Sequence, residues 1–161
     1  MCDVVELANP STLAGWREWV CLPELEVAWI KAKLDTGARS SAIHASQISE
    51  FDDGGVPSVR FVVHPWQGSE ADPVTVRVPV LDRRVVRSSN GQAEERLVVP
   101  MTLRLLQQDL VTEVTLSNRD QMGFRLLIGR EALRGRIVVD SGRSYIGGRP
   151  PRDMRRRNRG R

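Results

Sequence analysis

The residues best suited to chemistry in this 161-residue chain are Asp35, Thr36 and Gly37. They follow an alternating apolar run that ends at Leu34, a pattern that predicts a β-strand with one buried face. Glycine adopts backbone conformations closed to other residues and permits the close approach of another chain. A carboxylate fixed in such a turn is placed to activate water, and we predict Asp35, Thr36 and Gly37 as catalytic residues. The same three residue types also form ordinary strand-ending turns.

Basic residues flank this turn on both sides. Strand alternation places Lys31, Lys33 and Asp35 on one face, and Arg39 follows the turn directly. Arginine binds carboxylates through paired N–H donors, so the pattern favours an acidic peptide as substrate. The alternative is that Arg39 forms a structural ion pair. The acidic partners open to it are Asp120, Glu94 and Glu131, and the predicted substrate-binding residues are Lys33, Ala38, Arg39, Ser40 and His44.

A second apolar segment, Leu126 to Ile128, leads into Gly129 and Arg130. Asp-Thr-Gly followed by such a segment resembles the retropepsins, the single-domain aspartic proteases of retroviral type. This resemblance implies an all-β fold, a closed β-barrel with one or two short helices. It also implies that two copies of the chain build one active site, and that Ile128, Gly129 and Arg130 support the aspartate turn from behind.

The wider pattern resembles one bacterial branch of that group. Residues 15–20, 31–45, 94–96 and 115–124 are similar to the retropepsin-like family often labelled "ATP-dependent zinc protease". Its members are associated with RimK-type ATP-grasp ligases, which add glutamates to protein tails. The resemblance therefore implies a functional link to such a ligase and cleavage within, or at the root of, an added glutamate chain.

An aspartic protease needs two carboxylates that face one water molecule. Two like charges about 3 Å apart cannot both ionise, so the pair shares one proton. One carboxylate accepts a proton from water and the other donates to the carbonyl oxygen. A two-fold homodimer would supply Asp35 twice. The alternative partner is Asp140, followed by Ser141 and Gly142, although few residues remain for a second lobe and the sequence favours a structural turn there.

A metal-dependent peptidase is the second class of hypothesis, prompted by the word zinc in the family label. Zinc proteases usually carry two histidines one helical turn apart with a glutamate between them. His44 and His64 are twenty residues apart, and Cys2 and Cys21 do not give zinc-finger spacing. We therefore expect no metal and no cofactor, and we expect both histidines to be ordinary polar or half-buried residues.

Length and charge bound the remaining functions. The chain is long enough for one domain with a sizeable core. No apolar run approaches the roughly 20 residues of a membrane span, and no signal peptide is evident, so a cytoplasmic protein without membrane contact is expected. Residues 149–161 carry seven arginines and one aspartate, a net of +6, so the total of +4 leaves −2 for residues 1–148. Nucleic-acid binding is therefore disfavoured, except weakly through this tail.

The third class of hypothesis is a non-catalytic peptide-binding protein that keeps Asp-Thr-Gly as a structural corner. The flap candidate, between Val74 and Leu97, is longer and more polar than the glycine-rich flap of viral retropepsins. Asn90-Gly91 is predicted as a hairpin tip.

The domain boundaries are a loose lead-in over 1–14, a retropepsin-like domain over 15–146 and a disordered basic tail over 147–161. Within the domain, residues 38–49 could form either a strand or a short helix, and a loop is predicted over 51–57. Pro100 should lie at the edge of a sheet or at a bulge. Residues 83–87 are expected to extend the ribbon of 74–80. Strands are predicted over 15–22, 26–34, 59–64, 74–80, 95–106, 110–116, 124–128 and 137–139, with a short helix over 130–133.

Overall fold

The computed structural model describes residues 11–87, 90–120 and 122–157. These ranges contain eleven β-strands and only short helices, which confirms the predicted all-β class. The strands are β1 (Thr12–Leu22), β2 (Val27–Asp35), β3 (Ser41–His44), β4 (Ser46–Asp53), β5 (Val56–Val63), β6 (Val74–Pro79), β7 (Asp82–Arg87), β8 (Ala93–Leu105), β9 (Gln108–Ser117), β10 (Leu126–Gly129) and β11 (Ile137–Ser144). The helices are α1 (Arg130–Leu133) and α2 (Arg152–Arg155), and Pro23–Leu25 forms a 3-10 turn.

Eight strands form one curved sheet in the order β11-β1-β2-β10-β3-β9-β8-β7. An additional pairing of β1 with β8, at Cys21 and Arg104, closes six of these strands into a ring. The other three strands form a separate sheet in the order β4-β5-β6. Strand β2 lies between β1 and β10, so the end that carries Asp35 has a neighbouring strand on each side.

The interior of the ring is apolar, as the alternation in β2 predicts. Ile30, Ala32 and Leu34 are buried, whereas Lys33 and Asp35 on the opposite face are partly exposed. Removing apolar surface from water, at about 25 cal/mol per Å², is the main force that holds these strands together. The neighbouring strands bury Val20, Leu22, Ile43, Val99, Leu103, Leu105, Leu110, Val114, Leu116, Leu126 and Ile128 in the same core.

The segment after Asp35, for which the sequence left two structures open, forms β3 and β4. The loop predicted over 51–57 is wrong for most of its length, because these residues belong to the β4–β5 hairpin, in which Asp53 pairs with Val56. Only Gly54 and Gly55 form the turn. Both have positive φ, 60° and 93°, a region open to glycine, so two residues are enough to reverse the chain.

Strand β7 leaves the β6 ribbon and pairs with β8 in the larger sheet, contrary to the predicted extension of that ribbon. Asn90 and Gly91 lie in the β7–β8 connection as predicted, since Arg87 pairs with Ala93 across it. Residues 88 and 89 of this connection lie outside the described residues.

Pro100 pairs with Glu113 of β9 on one side only. On its other side, the β7 pairing ends at Val98 and the single bridge to β1 is at Arg104. A proline has no N–H for a ladder on both sides, so this gap between neighbouring strands accommodates it. The expectation of an edge position is therefore correct.

Strand β1 begins at Thr12 instead of residue 15, because it pairs in parallel with β11 from Thr12 and Ile137 onward. Strand β11 continues to Ser144, beyond the predicted end at Val139. The first ten residues of the predicted lead-in lie outside the described residues.

A buried carboxylate secures the end of this region. Glu18 is fully buried, and its Oε1 accepts the backbone N–H groups of Gly15 and Ile146 at 2.9 and 2.8 Å. Its Oε2 accepts the N–H of Gly147 at 3.2 Å. Buried carboxylates need such donors to offset the loss of hydration, so Glu18 fixes the chain after β11 against β1.

The tail differs from the predicted disorder over 149–157, where α2 forms one helical turn. Arg157 Nη1 lies 2.7 Å from Asp72 Oδ2, and the Arg149 guanidinium lies 4.5 Å from the ring centroid of Tyr145. Composition alone does not reveal the contact between Arg157 and Asp72, which are 85 residues apart. No helix in the described ranges is long and apolar enough to cross a membrane.

Candidate active site

The Asp35 turn is closed by its own carboxylate. Asp35 Oδ1 accepts the backbone N–H of Gly37 at 2.9 Å and that of Ala38 at 3.2 Å. The backbone N–H of Ala38 also lies 3.2 Å from the Asp35 carbonyl oxygen. One carboxylate oxygen is therefore fixed by amides, while Thr36 and Gly37 are exposed. Oδ2 accepts no hydrogen bond from the described residues.

Gly37 allows a close approach, but the approaching atom belongs to its own turn. Gly37 is not among the described glycines with positive φ, so the prediction that it adopts a backbone conformation closed to other residues is wrong. A Cβ atom at this position would lie 3.2 Å from Asp35 Oδ1. The small side chain therefore leaves room for the carboxylate that closes the turn.

Strand β10 supports the turn from behind. Its Ile128 is buried and pairs with Leu34, and Gly129 pairs with Asp35 in parallel. A Cβ atom at Gly129 would lie 2.5 Å from the carbonyl oxygen of Ser40, a distance that only glycine permits. The backbone N–H of Arg130 donates to Ala38 O at 2.8 Å.

The side chain of Arg130 adds a further contact, since its Nη1 donates to Gly37 O at 3.3 Å. The structure thus brings Gly129 and Arg130 against the aspartate turn, where sequence reasoning placed them. Sequence reasoning missed Ser41, which is buried and whose Oγ accepts the N–H of Gly129 at 3.1 Å.

Among the basic residues predicted near the site, Lys33 is closest to the carboxylate. Its Nζ lies 3.8 Å from Asp35 Oδ2. Lys31 is buried, with its ammonium 5.2 Å from the ring centroid of Phe124. Burial and the neighbouring Arg17 charge lower the pKa of Lys31. Lys33 is therefore the member of this pair that a ligand at Asp35 can reach.

Arg39 forms the structural ion pair that the sequence left open. Its Nε lies 2.8 Å from Glu131 Oε1, and both side chains are exposed. Hydrogen bonding to Arg39 and its charge lower the pKa of Glu131. The backbone carbonyl of Arg39 also accepts the N–H of Glu131 at 3.2 Å, so this residue ties the turn to α1. Ser40 lies beside it, half-buried, with its carbonyl against Gly129.

His44 does not lie beside Asp35. Its backbone N–H donates to Arg125 O at 2.7 Å, at the start of β10, whereas Asp35 pairs with Gly129 at the end of β10. Four residues of strand separate the two levels, about 13 Å at the usual rise. His44 is buried, and it does not lie where a ligand bound at Asp35 would contact it directly.

The histidine pair does not fit a zinc site. His44 Nδ1 accepts the backbone N–H of Arg119 at 3.0 Å, which leaves its proton on Nε2, and His64 Nε2 lies 2.8 Å from Ser46 Oγ. Burial is the main cause that lowers the pKa of His44, and the positive charges of Arg125 and Arg119 lower it further. Within the described ranges, no group of three or more His, Cys, Asp or Glu side chains is arranged to hold a metal.

Asn118 and Asp120, in the predicted loop that also includes residue 121 outside the described residues, hold a neighbouring segment in place. Asn118 Oδ1 accepts the N–H of Asp120 at 3.1 Å, and Asp120 Oδ1 lies 2.8 Å from Arg125 Nη2. Arg125 is buried, and its Nη1 donates to the carbonyl oxygens of His64 and Ser69. The aspartate therefore orients an arginine that fixes the loop after β5.

Arg119 and Arg96 are the charged residues near the site that sequence reasoning missed. They line a cavity of about 480 Å³ between the β7–β8 hairpin and the loop from Asn118 onward. Burial and the Arg96 charge lower the pKa of Arg119, and the Asp35 carboxylate opposes this shift. The available signal was that Arg96 and Arg119 lie within segments 94–96 and 115–124, which resemble the family.

Asp140, the alternative partner for Asp35, lies in β11. Its Oδ1 accepts the N–H of Gly142 at 2.8 Å, and its Oδ2 lies 3.4 Å from Arg143 Nε. The pairing of β1 with β11 shifts register between Gly15, opposite Asp140, and the next paired residue. Asp140 therefore forms a turn within a bulged edge strand, as the sequence favoured.

The arrangement of an aspartate turn backed by a glycine-arginine strand end agrees with a family comparison. A sequence model described as RimB-like, retropepsin-like aspartic endopeptidase RimB, matches residues 13–150. The chain belongs to this RimB-like family. The predicted resemblance to retropepsin-like proteins is therefore confirmed at the level of the family.

Curated relatives of this RimB-like chain carry a different name. Proteins named probable alpha-L-glutamate ligase from Desulfotalea psychrophila and Shewanella pealeana are each 42% identical to it. The alignments span 128 and 139 residues, or 80% and 86% of this chain, but 28% and 30% of the relatives. The chain thus spans less than a third of the length of these relatives.

A solved structure shares the RimB-like fold. A protein of unknown function from Legionella pneumophila superposes with a TM-score of 0.73 at 25% identity, covering 86% of this chain and 99% of that protein. The β-strand framework around Asp35 therefore recurs in that protein and accounts for nearly all of its solved chain.

Proposed function

We propose that this chain is an aspartic peptidase of retropepsin type, in which Asp35 from each of two protomers activates one water molecule. The observation that carries the proposal is the closed Asp35 turn. Oδ1 is fixed by two backbone amides, and Oδ2 accepts no hydrogen bond within the described residues. Preorganised groups of this kind lower the barrier because they need no rearrangement during reaction.

The proposed reaction follows from two carboxylates that share one proton. The ionised carboxylate accepts a proton from water as the water oxygen bonds to the peptide carbonyl carbon, and the protonated carboxyl donates to the carbonyl oxygen. The C–N bond then breaks as the leaving nitrogen takes a proton from the pair, and one hydroxyl of the tetrahedral intermediate returns a proton to the pair as the carbonyl re-forms. The apparent pKa values of such a dyad belong to the pair and not to either residue.

We propose acidic, glutamate-tailed peptides or proteins as substrates. Lys33 lies beside Asp35, and the charge of Asp35 acts on Arg119, so two positively charged side chains lie around the site. The relatives named probable alpha-L-glutamate ligase support a link to a ligase that makes such chains. In this proposal the ligase forms the glutamate linkage and the peptidase hydrolyses it. A cytoplasmic location stays a prediction.

The test is hydrolysis of an oligoglutamate-tailed protein by wild type, Asp35→Asn and Asp140→Asn, each with and without a chelator. We expect cleavage by wild type and by Asp140→Asn, unaffected by the chelator, and no cleavage by Asp35→Asn. Cleavage by Asp35→Asn would remove the aspartate mechanism. Loss of cleavage with the chelator would revive a metal-dependent peptidase.

A non-catalytic peptide-binding protein is the second candidate. The Lys33–Asp35 ion pair favours it, because Lys33 Nζ lies 3.8 Å from Oδ2, the carboxylate oxygen that a catalytic dyad would need to face water. Binding of the oligoglutamate tail without hydrolysis in any lane, by a protein shown to be folded, would favour this candidate.

A further inference from the structure

We propose that Arg96 and Arg119 form an anion subsite under the β7–β8 hairpin, which takes an acidic side chain of the substrate, and that Glu94 occupies Arg96 when the subsite is empty. The inference deepens the proposed function and rests on it for the identity of the reacting bond. The binding step itself depends only on the cavity and its charges.

The cavity is built by two elements that approach each other. The β7–β8 hairpin contributes Glu94 and Arg96, and the segment after β9 contributes Asn118, Arg119 and Met122. Its volume of about 480 Å³ is large enough for several side chains. Two arginines therefore line one cavity together with Glu94 and several uncharged polar residues.

Arg119 is a buried cation without a carboxylate partner in the described part of the chain. Only 8% of the residue is exposed, and its Nε donates to the carbonyl oxygen of Phe124 at 3.1 Å. A buried guanidinium normally has a paired acid, because the loss of hydration is otherwise costly. The electrostatic field of Asp35 reaches Arg119, which places this cation within range of the reacting carboxylate.

Arg125 is an arginine of the same region that does pair with a carboxylate, although its buried Nε has no hydrogen-bond partner in the described part of the chain. It is 4% exposed, its Nη2 lies 2.8 Å from Asp120 Oδ1, and its Nη1 donates to two carbonyl oxygens. Arg125 thus has a structural task within the chain. Arg119 has a similar degree of burial with one carbonyl contact, so its charge remains available to a ligand carboxylate.

Glu94 supplies a carboxylate that a ligand can replace. Its Oε2 lies 3.0 Å from Arg96 Nε, and its side chain is 54% exposed. The Arg96 side chain is only 14% exposed, so Glu94 is the member of the pair that can move into solvent when a ligand carboxylate arrives. A substrate carboxylate that reaches both Arg96 and Arg119 gains two charge-assisted contacts, whereas Glu94 contacts Arg96 alone. The internal carboxylate therefore competes with the ligand without blocking it.

The test measures binding separately from hydrolysis. A fluorescent oligoglutamate peptide and the matched oligoglutamine peptide are titrated against the full chain carrying Asp35→Asn, in which cleavage is not expected. Further variants add Arg119→Gln, Arg96→Gln or Glu94→Gln. Arg104→Gln is the control, since this arginine pairs with Asp109 away from the cavity.

We expect Arg119→Gln to weaken binding of the glutamate peptide by about tenfold or more, or about 1.4 kcal/mol, with little effect on the glutamine peptide. Glu94→Gln should tighten binding of the glutamate peptide, a gain that a misfolded variant cannot produce. Arg104→Gln should change neither peptide.

Equal binding of both peptides, no binding of either, or no change in Glu94→Gln would overturn the subsite. Selective binding of the glutamate peptide by the Asp35→Asn protein, together with no hydrolysis by wild type, would leave the subsite standing and remove the proposed peptidase function. The two proposals therefore fail in different ways.

Discussion

Two Asp-X-Gly turns in this molecule share the same closing hydrogen bond and a similar exposure. Asp35 Oδ1 accepts the N–H of Gly37 at 2.9 Å, and Asp140 Oδ1 accepts the N–H of Gly142 at 2.8 Å. The carboxyl side chains are 30% and 34% exposed. A Cβ atom on either glycine would lie 3.2 or 3.3 Å from the aspartate oxygen.

The two turns differ in what stands behind them. Asp35 ends an inner strand of the ring and pairs with Gly129. Arg130 donates to Gly37 O, and so fixes the turn from a second strand. Asp140 lies in edge strand β11, where the pairing with β1 is irregular. The comparison teaches that the local motif closes the turn, while the neighbouring strand gives it a fixed position.

The largest difference between the turns is expected in activity. Asp35→Asn removes a proton-transfer group, which typically contributes about 10²- to 10⁴-fold, so hydrolysis of an oligoglutamate-tailed protein should fall by at least that range. Asp140→Asn keeps the turn and should leave kcat/KM within about twofold, because no proposed step uses this residue. Comparable losses in both variants would contradict the distinction drawn between the turns.

Two glycines, Gly129 behind the Asp35 turn and Gly142 within the Asp140 turn, should differ in how much their replacement lowers stability. Gly129→Ala places a Cβ atom 2.5 Å from the Ser40 carbonyl oxygen, and overpacking of this kind costs about 1–3 kcal/mol. Gly142→Ala meets only a carboxylate at 3.3 Å, which can shift, so its effect should be smaller. Urea unfolding of both variants measures the difference. A larger loss at Gly142 would show that the edge turn is the rigid one.

A pH effect on stability should arise through His44, which β3 carries away from the Asp35 turn. Burial, followed by the charge of Arg125, lowers the pKa of His44, while Asp120 opposes and His64 and Arg119 reinforce the shift.

The folded state binds a proton at His44 less readily than the unfolded chain does. The stability that the neutral His44 contributes is therefore complete above the unfolded pKa of about 6.5 and is lost as the pH falls below it. Wild type should therefore lose more stability than His44→Gln between pH 7.5 and 5.5, each measured by urea unfolding. Parallel pH profiles would show that His44 does not titrate differently on folding.

The smallest difference is expected at the outer ion pairs. Arg39 pairs with Glu131 beside the first turn, and Arg143 pairs with Asp140 in the second, and both arginines are well exposed. Exposed pairs contribute little. Arg39→Gln and Arg143→Gln should therefore both give unfolding free energies within the usual extrapolation error of about 10–15%. A clear loss in Arg39→Gln alone would give this residue a structural role.

Sequence reasoning predicted much of the fold because alternation and turn chemistry are local. The buried face of β2, the Asn90-Gly91 connection and the place of Pro100 follow from residue type and spacing. The predicted loop over 51–57 failed because composition marks a turn without fixing its length. The register of the β4–β5 hairpin reduced that turn to two glycines.

The candidate site was predictable only in part. Asp35, Gly129 and Arg130 carry a motif, and the structure brings them together. His44 lies in the same stretch of sequence, yet strand β3 carries it away from the carboxylate. Arg119 comes from a segment distant in the chain, and its approach to the site depends on how β9 and the following loop pack.

The sequence by itself determined many of the strands, the aspartate turn and the family, since each of these depends on neighbouring residues or on a fixed spacing. Only the tertiary structure decided which Asp-X-Gly turn is held rigidly. It also decided that Arg39 pairs with Glu131, and that Arg96 and Arg119 share a cavity. The physical reason is that charge pairing, burial and steric contact depend on distances between chain segments, which strand order and register set and local sequence does not.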